Sequence, residues 1–258
     1  MKKNRLGLLA LGLGIASFLD AQTIPSIDKL SDGIHHWNLG HPERTYARYA
    51  PEQYKEIADN FIAYQNKDGG WPKNIDWLAI LPTDSVRNTL KVRERQSTLD
   101  NRNTYSQIDY LAQVYTLTKQ SKYKNAVVKG LNYLLKTQKK NGGWRGWDVD
   151  AITYNDEVTT GVLALFLRIN EGDINYTWLD DSMKKEIHQS LQKGIGVILR
   201  TQYVQNGVKT VWGQQHDNET LLPVKARTYE LPSLVSGESC AILRLLCLLY
   251  TSPTPRDI

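Results

Sequence analysis

A short motif that recurs along the chain constrains its fold more than any other sequence feature. A glutamine is followed six residues later by a tryptophan, which a pair of glycines precedes, at Gln65–Trp71 and again at Gln138–Trp144, 73 residues farther along. In a degenerate third copy, Gln202 follows Gln138 by 64 residues, and Gly207 and Trp212 come after it. Glycine suits the left-handed conformation that often ends a helix. A repeat of this length is typical of a supersecondary unit that needs its neighbours to bury its apolar face.

Apolar residues at helical spacing lie around these motifs. The first clear helix is predicted to begin at Pro51, because proline suits the first helical turn. Further helices are predicted at about 103–118 and about 155–170, and residues 134–144 close another. No convincing alternating strand is visible. The order of helix, Gly-Gly-Trp turn, loop and helix predicts a mainly α fold of antiparallel helix pairs in a ring, an α/α toroid. The loops after the turns would gather at one end of this ring.

The N-terminus has the pattern of an export signal. The positively charged segment Lys2–Arg5 precedes the apolar stretch Leu6–Leu19, and the small residue Ala21 suits a cleavage site. The apolar stretch is short for a membrane span, although a single membrane anchor is the alternative. We therefore predict a signal peptide at residues 1–21 and a secreted or periplasmic protein. Residues 22–49 are expected to form an extended lead-in.

Charge and cysteine content limit the classes of partner. The 258 residues carry a net charge of +5, and the pI of about 9.0 favours an acidic partner. Nucleic acid, an anionic membrane surface and an acidic polysaccharide all satisfy this condition, but no nucleic-acid motif is visible. Cys240 and Cys247 stand seven residues apart on a predicted helix, too far apart to bridge. A disulfide framework is therefore excluded.

Two acidic segments precede predicted helices at equivalent positions of successive repeats. Asp100 comes before the helix at about 103, and Asp156 with Asn155 and Glu157 comes before the next. Adjacent carboxylates and an amide suit the oxygen-only coordination of a hard cation such as calcium. The alternative is that Asp100, Asn103 or Asn155 only caps a helix. Their equivalent positions favour a shared site.

The segment 212–239 is irregular and rich in reactive groups, and its prolines exclude a continuous helix. We interpret it as an ordered loop that closes an active site. His216 invites a general-base role, although a hydrogen-bonded structural histidine is the more common case. Arg227 suits carboxylate or phosphate binding, with a structural salt bridge as the alternative.

Several of these segments, in order and spacing over about residues 45–239, resemble polysaccharide lyase family 10 pectate lyases. The matching segments are Asp68–Asn74, Asp100–Asn101 with Thr104, Gln107 and Ile108, Thr153–Asp156, Trp212–Asp217 and Ala226–Ser233. The fold of that family is an (α/α)₃ toroid, which agrees with the repeats.

The resemblance implies calcium-assisted β-elimination on polygalacturonate. It implies that Asp100 and Asp156 hold calcium and that Arg227 abstracts the C5 proton. An arginine base is chemically awkward, because guanidinium is effectively always protonated, and the residue type alone favours an electrostatic stabiliser. We expect substrate contacts from Lys73, Asn103, Lys225 and His216, although the two lysines could equally be solvated. The expected partner is an acidic polysaccharide, with no nucleic acid and no stable membrane anchor, and the protein is expected to be a monomer.

The expected domains are a catalytic domain at residues 50–239 and a doubtful tail at residues 240–258. Cys240–Leu249 resembles the start of another helix, whereas Tyr250–Asp257 resembles translated sequencing-adaptor read-through. We therefore expect a toroid that is incomplete at its C-terminus, and a chain whose activity is in doubt.

Three other functions share some of these features. A glycoside hydrolase on a similar toroid would use Asp100 with Asp156 or Glu157 as acid and base. A triterpene cyclase shares the glutamine–tryptophan repeat, but it needs an Asp-x-Asp-Asp motif, and Asp148–Ala151 lacks the last aspartate. A non-catalytic pectin-binding module is the third.

Overall fold

A computed structural model of the chain describes residues 24–43, 46–80 and 93–251. The predicted signal peptide at residues 1–21 and the last part of the predicted tail, residues 252–258, lie outside the described residues. Within the described ranges, we find no helix with the length and apolar character needed to cross a membrane.

The described part of the chain is mainly helical, as predicted. Its helices are α1 (Ser31–Gly40), α2 (Tyr54–Tyr64), α3 (Tyr105–Thr118), α4 (Ser121–Thr137), α5 (Val158–Asn170), α6 (Asp181–Thr201) and α7 (Ser236–Thr251). Short 3₁₀ turns at Asp28–Leu30, Arg93–Arg95, Asn155–Glu157 and Ile174–Tyr176 interrupt the loops between them.

The helices form two layers. Helix α3 packs against α4, and α5 against α6, as antiparallel neighbours in sequence. Helix α5 also contacts α3 and α7, while α4 contacts α2 and α6. Helices α3 and α5 are buried over most of their surfaces, whereas α4 and α6 bury one face. The inner layer is therefore α3, α5 and α7, and the outer layer is α2, α4 and α6, which is the layering of an α/α toroid and confirms the predicted fold.

The glutamine of the repeated motif stands at the same place and makes the same kind of hydrogen bond in all three copies. The helices α2, α4 and α6 end directly before Gln65, Gln138 and Gln202, each with extended backbone angles. The side-chain amide of each glutamine donates a hydrogen bond to the turn that follows, to the carbonyls of Gly69, Gly142 and Thr210. In the first two copies it also reaches the neighbouring outer helix, at Ala126 and Ser190.

The tryptophan of each copy connects an outer helix to the next inner helix. Its buried indole donates to the carbonyl of Phe61, Leu134 or Ile198 in the helix just ended. Its backbone amide donates to the hydroxyl of Thr104, Thr159 or Ser239 at the start of an inner helix. The tryptophan thus packs back on the helix pair as predicted, and it holds the loops that precede α3, α5 and α7.

The segment expected to be an extended lead-in contains a helix. Helix α1 occupies Ser31–Gly40 and buries Trp37, whose indole donates to the hydroxyl of Tyr46. Only Gly33 and Trp37 of this helix are buried, so the sequence carries no clear apolar stripe. The next helix begins later than predicted. Pro51 lies in a turn, and α2 begins at Tyr54.

The described ranges also contain four two-residue strands, although no strand was predicted. Strand β1 (Ile152–Thr153) pairs antiparallel with β4 (Gln215–His216), so that Ile152 faces His216. Strands β2 (Val204–Gln205) and β3 (Val208–Lys209) form a hairpin whose turn residues Asn206 and Gly207 have positive φ. The β1–β4 pair joins the loop before α5 to the irregular segment after Trp212.

Helix α7 begins inside the irregular segment and continues through the predicted tail. It starts at Ser236, and its residues Ile242, Leu245 and Leu249 are buried in the core. The prediction that a helix starts near residue 240 is therefore confirmed, with an earlier start. Cys240 and Cys247 are both free and exposed on this helix, as expected.

Candidate active site

One cavity of about 310 Å³, the central cavity, brings together four of the predicted site residues. Lys73, Asp100, Asp156 and Arg227 all line it, and each comes from a different loop. Lys73 follows the first Gly-Gly-Trp turn, Asp100 precedes α3, Asp156 precedes α5, and Arg227 lies between β4 and α7. The repeat architecture therefore gathers the loops at one end of the ring, as the sequence indicated.

Asp100 and Asp156 form the acidic centre of this cavity. Asp100 is largely buried, and Asp156 lies in the 3₁₀ turn Asn155–Glu157 with a φ of 53°. Burial, followed by the nearby charge and hydrogen bonding of Asp100, raises the pKa of Asp156 to about 7. Two carboxyl groups that act on each other at a partly desolvated site resist simultaneous ionisation, so this pair favours a proton or a cation between them.

The capping alternative for these segments is not observed. The residue directly before α3 is Thr104, and the residue directly before α5 is Glu157, and neither helix has a side-chain cap. Asp100 and Asn155 thus direct their side chains elsewhere, Asn155 to Asp156 at 3.1 Å.

A lysine and an aromatic ring flank the acidic pair. The ammonium of Lys73 forms an ion pair with Asp100 and lies 4.6 Å from the ring centre of Trp147. The guanidinium of Arg93 lies 4.8 Å from the same ring centre. Trp147 therefore separates the central cavity from the basic residues around Arg93.

Arg227 is held at the edge of the cavity by acidic neighbours. Its guanidinium pairs with Glu230 and lies 3.7 Å from the carboxylate of Asp148, and it stacks at 5.0 Å over the ring of Tyr229. Its backbone amide also donates to Glu230 at 3.1 Å. The side-chain hydrogen bond to Glu230 raises the pKa of Arg227 above its ordinary value, and it lowers the pKa of Glu230. This arrangement stabilises the charged guanidinium.

His216 lies behind the cavity wall. It is fully buried in strand β4, where Nδ1 donates to the carbonyl of Leu221 at 2.8 Å and Nε2 accepts from the amide of Gly213 at 2.9 Å. Burial lowers the pKa of His216 despite these two hydrogen bonds. Both ring nitrogens are engaged, so this position does not support the predicted substrate contact and corresponds to the structural alternative.

Asn103 is also turned away from the cavity. It is buried, and its amide donates to the carbonyls of Trp71 and Thr98 while its oxygen accepts from Gln107. It holds the loop that carries Asp100, and this position does not support a direct substrate contact. Lys225, by contrast, is exposed one residue before Ala226, which lines the cavity.

Several residues of the cavity were not singled out as candidate site residues. Trp147 and Asp148 line it and lie outside the segments that resemble the pectate lyase family, whereas Glu230 lies within one of those segments, Ala226–Ser233. Asn74 and Asn101 line it as well, with φ of 59° and 54°, and Asn101 donates to Asn74 at 2.6 Å. Both asparagines lie within matching segments, and asparagine tolerates the left-handed conformation better than most residues, so two signals could have marked them.

The cavity has the donor set of a hard-cation site. Four carboxylates, Asp100, Asp148, Asp156 and Glu230, face two cationic side chains, and the amides of Asn74, Asn101, Asn155 and Gln215 add further oxygens. Oxygen-only donors and an excess of negative charge suit a hard divalent ion. Across the described ranges, no group of three or more His, Cys, Asp and Glu residues forms a ready-made metal site.

Comparison with known proteins agrees with this geometry. A family described as pectic acid lyase matches residues 65–256, and thus extends beyond residue 239 through α7. A family 10 polysaccharide lyase from Cellvibrio cellulosa is 28% identical over 79% of this chain, with a TM-score of 0.64. A mutant of such a lyase, in complex with trigalacturonic acid, is 28% identical over 76% of this chain, with a TM-score of 0.63. The chain covers 65% and 64% of those two proteins, less than two thirds of each. No curated protein sequence matches it.

Proposed function

Since the chain belongs to the pectic acid lyase family, we propose that it cleaves polygalacturonate by calcium-assisted β-elimination and releases 4,5-unsaturated oligogalacturonides. The observation that carries this proposal is the meeting of Asp100, Asp156 and Arg227 in one cavity. A cation site beside a guanidinium suits a substrate whose reacting carbon lies next to a carboxylate.

The reaction requires a proton to leave C5 of a galacturonate and the C4–O bond to the adjoining sugar to break, so that a C4–C5 double bond forms. The departing oxygen keeps the bonding pair of electrons and takes up a proton to become a hydroxyl of the released sugar. The C5 proton is α to the carboxylate, and its removal builds negative charge on that carboxylate. Calcium held by Asp100 and Asp156 would supply positive charge to the carboxylate as this happens. Lys73 lies beside Asp100 and adds a second positive charge on the same side. Lys225 would contact a further uronate from the exposed part of the loop.

We assign the removal of the C5 proton to Arg227, as the family resemblance implies. The ion pair with Glu230 opposes this role, because it favours the protonated guanidinium. Substrate binding must therefore separate Arg227 from Glu230, and the guanidinium must lose a proton before it accepts one from C5. In its protonated form, Arg227 binds the uronate carboxylate and stabilises the developing charge.

The hydrolase alternative receives less support from the geometry. The two carboxyl groups of glycoside hydrolases stand at least about 5 Å apart, whereas the charge and hydrogen bonding of Asp100 raise the pKa of Asp156, which suits a closer pair. Glu157 pairs with Arg102 at 3.0 Å and does not line the central cavity.

We also propose that the protein is exported by means of residues 1–21, in keeping with an external polysaccharide substrate.

The test is to incubate the purified protein with polygalacturonate and calcium and to follow both ultraviolet absorbance and new reducing ends. We expect absorbance from the unsaturated product, and its loss when calcium is chelated. Reducing ends without this absorbance would identify a hydrolase instead. Binding of polygalacturonate without either signal would identify a non-catalytic binding module. Full activity in excess chelator would remove the proposed metal role of Asp100 and Asp156.

A further inference from the structure

A second cavity of about 360 Å³ lies beside the central cavity and has the opposite balance of charge. Its charged lining residues are three cations, Arg93, Lys139 and Arg145, and one carboxylate, Asp148. We call it the cationic cavity. It shares Trp147 and Asp148 with the central cavity, in which carboxylates outnumber cations by four to two. One ligand could therefore extend from one cavity into the other.

The repeat motif places two of the three cations. Lys139 directly follows Gln138, and Arg145 directly follows Trp144, so the second Gly-Gly-Trp turn fixes the positions of both. The turn itself is held by the hydrogen bond from Gln138 to the carbonyl of Gly142 and by the indole hydrogen bond of Trp144. The backbone that presents these charges is therefore rigid.

Arg145 is positioned without a carboxylate partner among the residues that the structure describes. Its guanidinium donates to the carbonyls of Gly146 at 3.4 Å and Trp147 at 3.3 Å, and the carboxylate that feels its charge is Asp150, which already pairs with Lys139. Lys139 is largely buried and pairs with Asp150 at 2.5 Å. Arg93 lies at the exposed rim, 3.5 Å from Asp148. Arg145 is therefore the one of these three cations for which the described residues show no ion pair.

We propose that the cationic cavity is a distal subsite that binds a uronate carboxylate of the same polygalacturonate chain, mainly through Arg145 and Lys139. This proposal rests on the proposed function. A polyanion carries one carboxylate on each sugar, and the central cavity with its excess of carboxylates repels such a chain in the absence of a cation. The cationic cavity supplies attraction at a distance from the bond that breaks, so it contributes affinity and not chemistry.

The experiment compares Arg145→Gln and Lys139→Gln with the control Arg244→Gln, which changes an exposed arginine on α7 outside both cavities. We expect each cavity variant to raise KM for polygalacturonate by about threefold to fivefold, as for a partly solvated ion pair, while kcat stays unchanged. The control should change neither. The difference from wild type should shrink as the carboxylates of the polymer are methyl-esterified. An unchanged KM in both cavity variants, or a fall in kcat alone, overturns the proposal.

Binding measured without turnover separates this proposal from the proposed function. Titration with polygalacturonate in the presence of a calcium chelator should show weaker binding by both cavity variants than by wild type. If binding weakens but no unsaturated product forms in any condition, the subsite stands and the lyase function fails. If product forms and both cavity variants bind as wild type does, the lyase function stands and the subsite fails. Circular dichroism of each variant establishes that it is folded.

Discussion

At the scale of single residues, the proposed chemistry depends most on Arg227 and on the carboxylate of Glu230 that holds it. We predict that Arg227→Ala lowers the rate of elimination by about 10²- to 10⁴-fold, the usual contribution of one proton-transfer group. Polygalacturonate binding should survive, because Lys73 remains and Asp100 and Asp156 would still hold the calcium that binds a uronate carboxylate. The measurement combines the absorbance assay with a binding titration, and near-normal turnover would refute the assigned role.

Arg227→Lys distinguishes a general need for positive charge from a specific need for guanidinium. Lysine keeps the charge but not the planar set of donors. Since Arg227 is exposed at the cavity edge, both variants should fold, and equal thermal unfolding of the two provides the control. If the lysine variant retains most of the activity, the planar guanidinium is not required at this position, and a positive charge or an amine base is sufficient.

The sequence indicated several candidate site residues but could not show which of them face the cavity. Asp100, Asp156, Lys73 and Arg227 meet there because the repeats bring their loops to one end of the ring. His216 has the most reactive side chain of its segment, yet the β1–β4 pairing buries it and engages both ring nitrogens. That pairing joins segments more than 60 residues apart, which no local pattern predicts.

At the scale of elements, the repeat predicted where helices end better than where they begin. Gln65, Gln138 and Gln202 directly follow outer helices, because the turn after each helix has a strict structure with its own hydrogen bonds. Helix α1 was missed, because it buries only Gly33 and Trp37 and depends on packing for its stability. Periodicity detects a helix with a broad apolar face, and α1 lacks one.

The turn structure makes a specific prediction for Gly142. Its φ is 104°, and a Cβ there would lie 2.2 Å from the carbonyl oxygen of Lys193 on helix α6. Alanine would therefore meet both an unfavourable φ and a backbone clash, and we expect Gly142→Ala to lower the free energy of unfolding by about 3 kcal/mol or more. Denaturant unfolding followed by circular dichroism measures this loss.

Gly172 provides a matched control for the same substitution. It has a φ of 86° after helix α5, but a Cβ there would have no neighbour within 4 Å. Gly172→Ala should therefore cost only the backbone term, about 1 kcal/mol. If Gly142→Ala and Gly172→Ala lower the free energy of unfolding equally, the close contact between the turn and α6 does not contribute to the cost of the substitution at Gly142.

At the scale of the whole molecule, a buried carboxylate connects three parts of the chain. Asp109 on α3 forms ion pairs with Lys29, which precedes α1, and with Arg168 on α5. It also accepts a hydrogen bond at 3.3 Å from the hydroxyl of Tyr176. The N-terminal segment and two inner helices therefore share one charge cluster, which lies outside the central cavity.

This cluster makes the stability of the fold sensitive to acid. Burial acts to raise the pKa of Asp109, but the charges of Arg168 and Lys29 outweigh it and hold this pKa below its ordinary value. Because the pKa is lower in the folded state than the value of about 3.9 for an unfolded chain, the stability from Asp109 is fully present above about pH 4. It is lost as the pH falls through the folded-state pKa.

Asp109→Asn tests this assignment, because it removes the titrating group while it preserves the size of the side chain. At neutral pH we expect Asp109→Asn to lower the free energy of unfolding by about 2 kcal/mol. This is less than the effect of breaking a fully buried ion pair, because Lys29 and Arg168 are partly exposed. Below pH 4 the stabilities of the variant and wild type should converge, as measured by urea unfolding at a series of pH values. Asp59→Asn, which removes a half-exposed partner of Lys122, should lower the free energy of unfolding by about 1 kcal/mol at most. A constant difference between Asp109→Asn and wild type across the acid range would mean that packing, and not the charge of Asp109, joins these three parts of the chain.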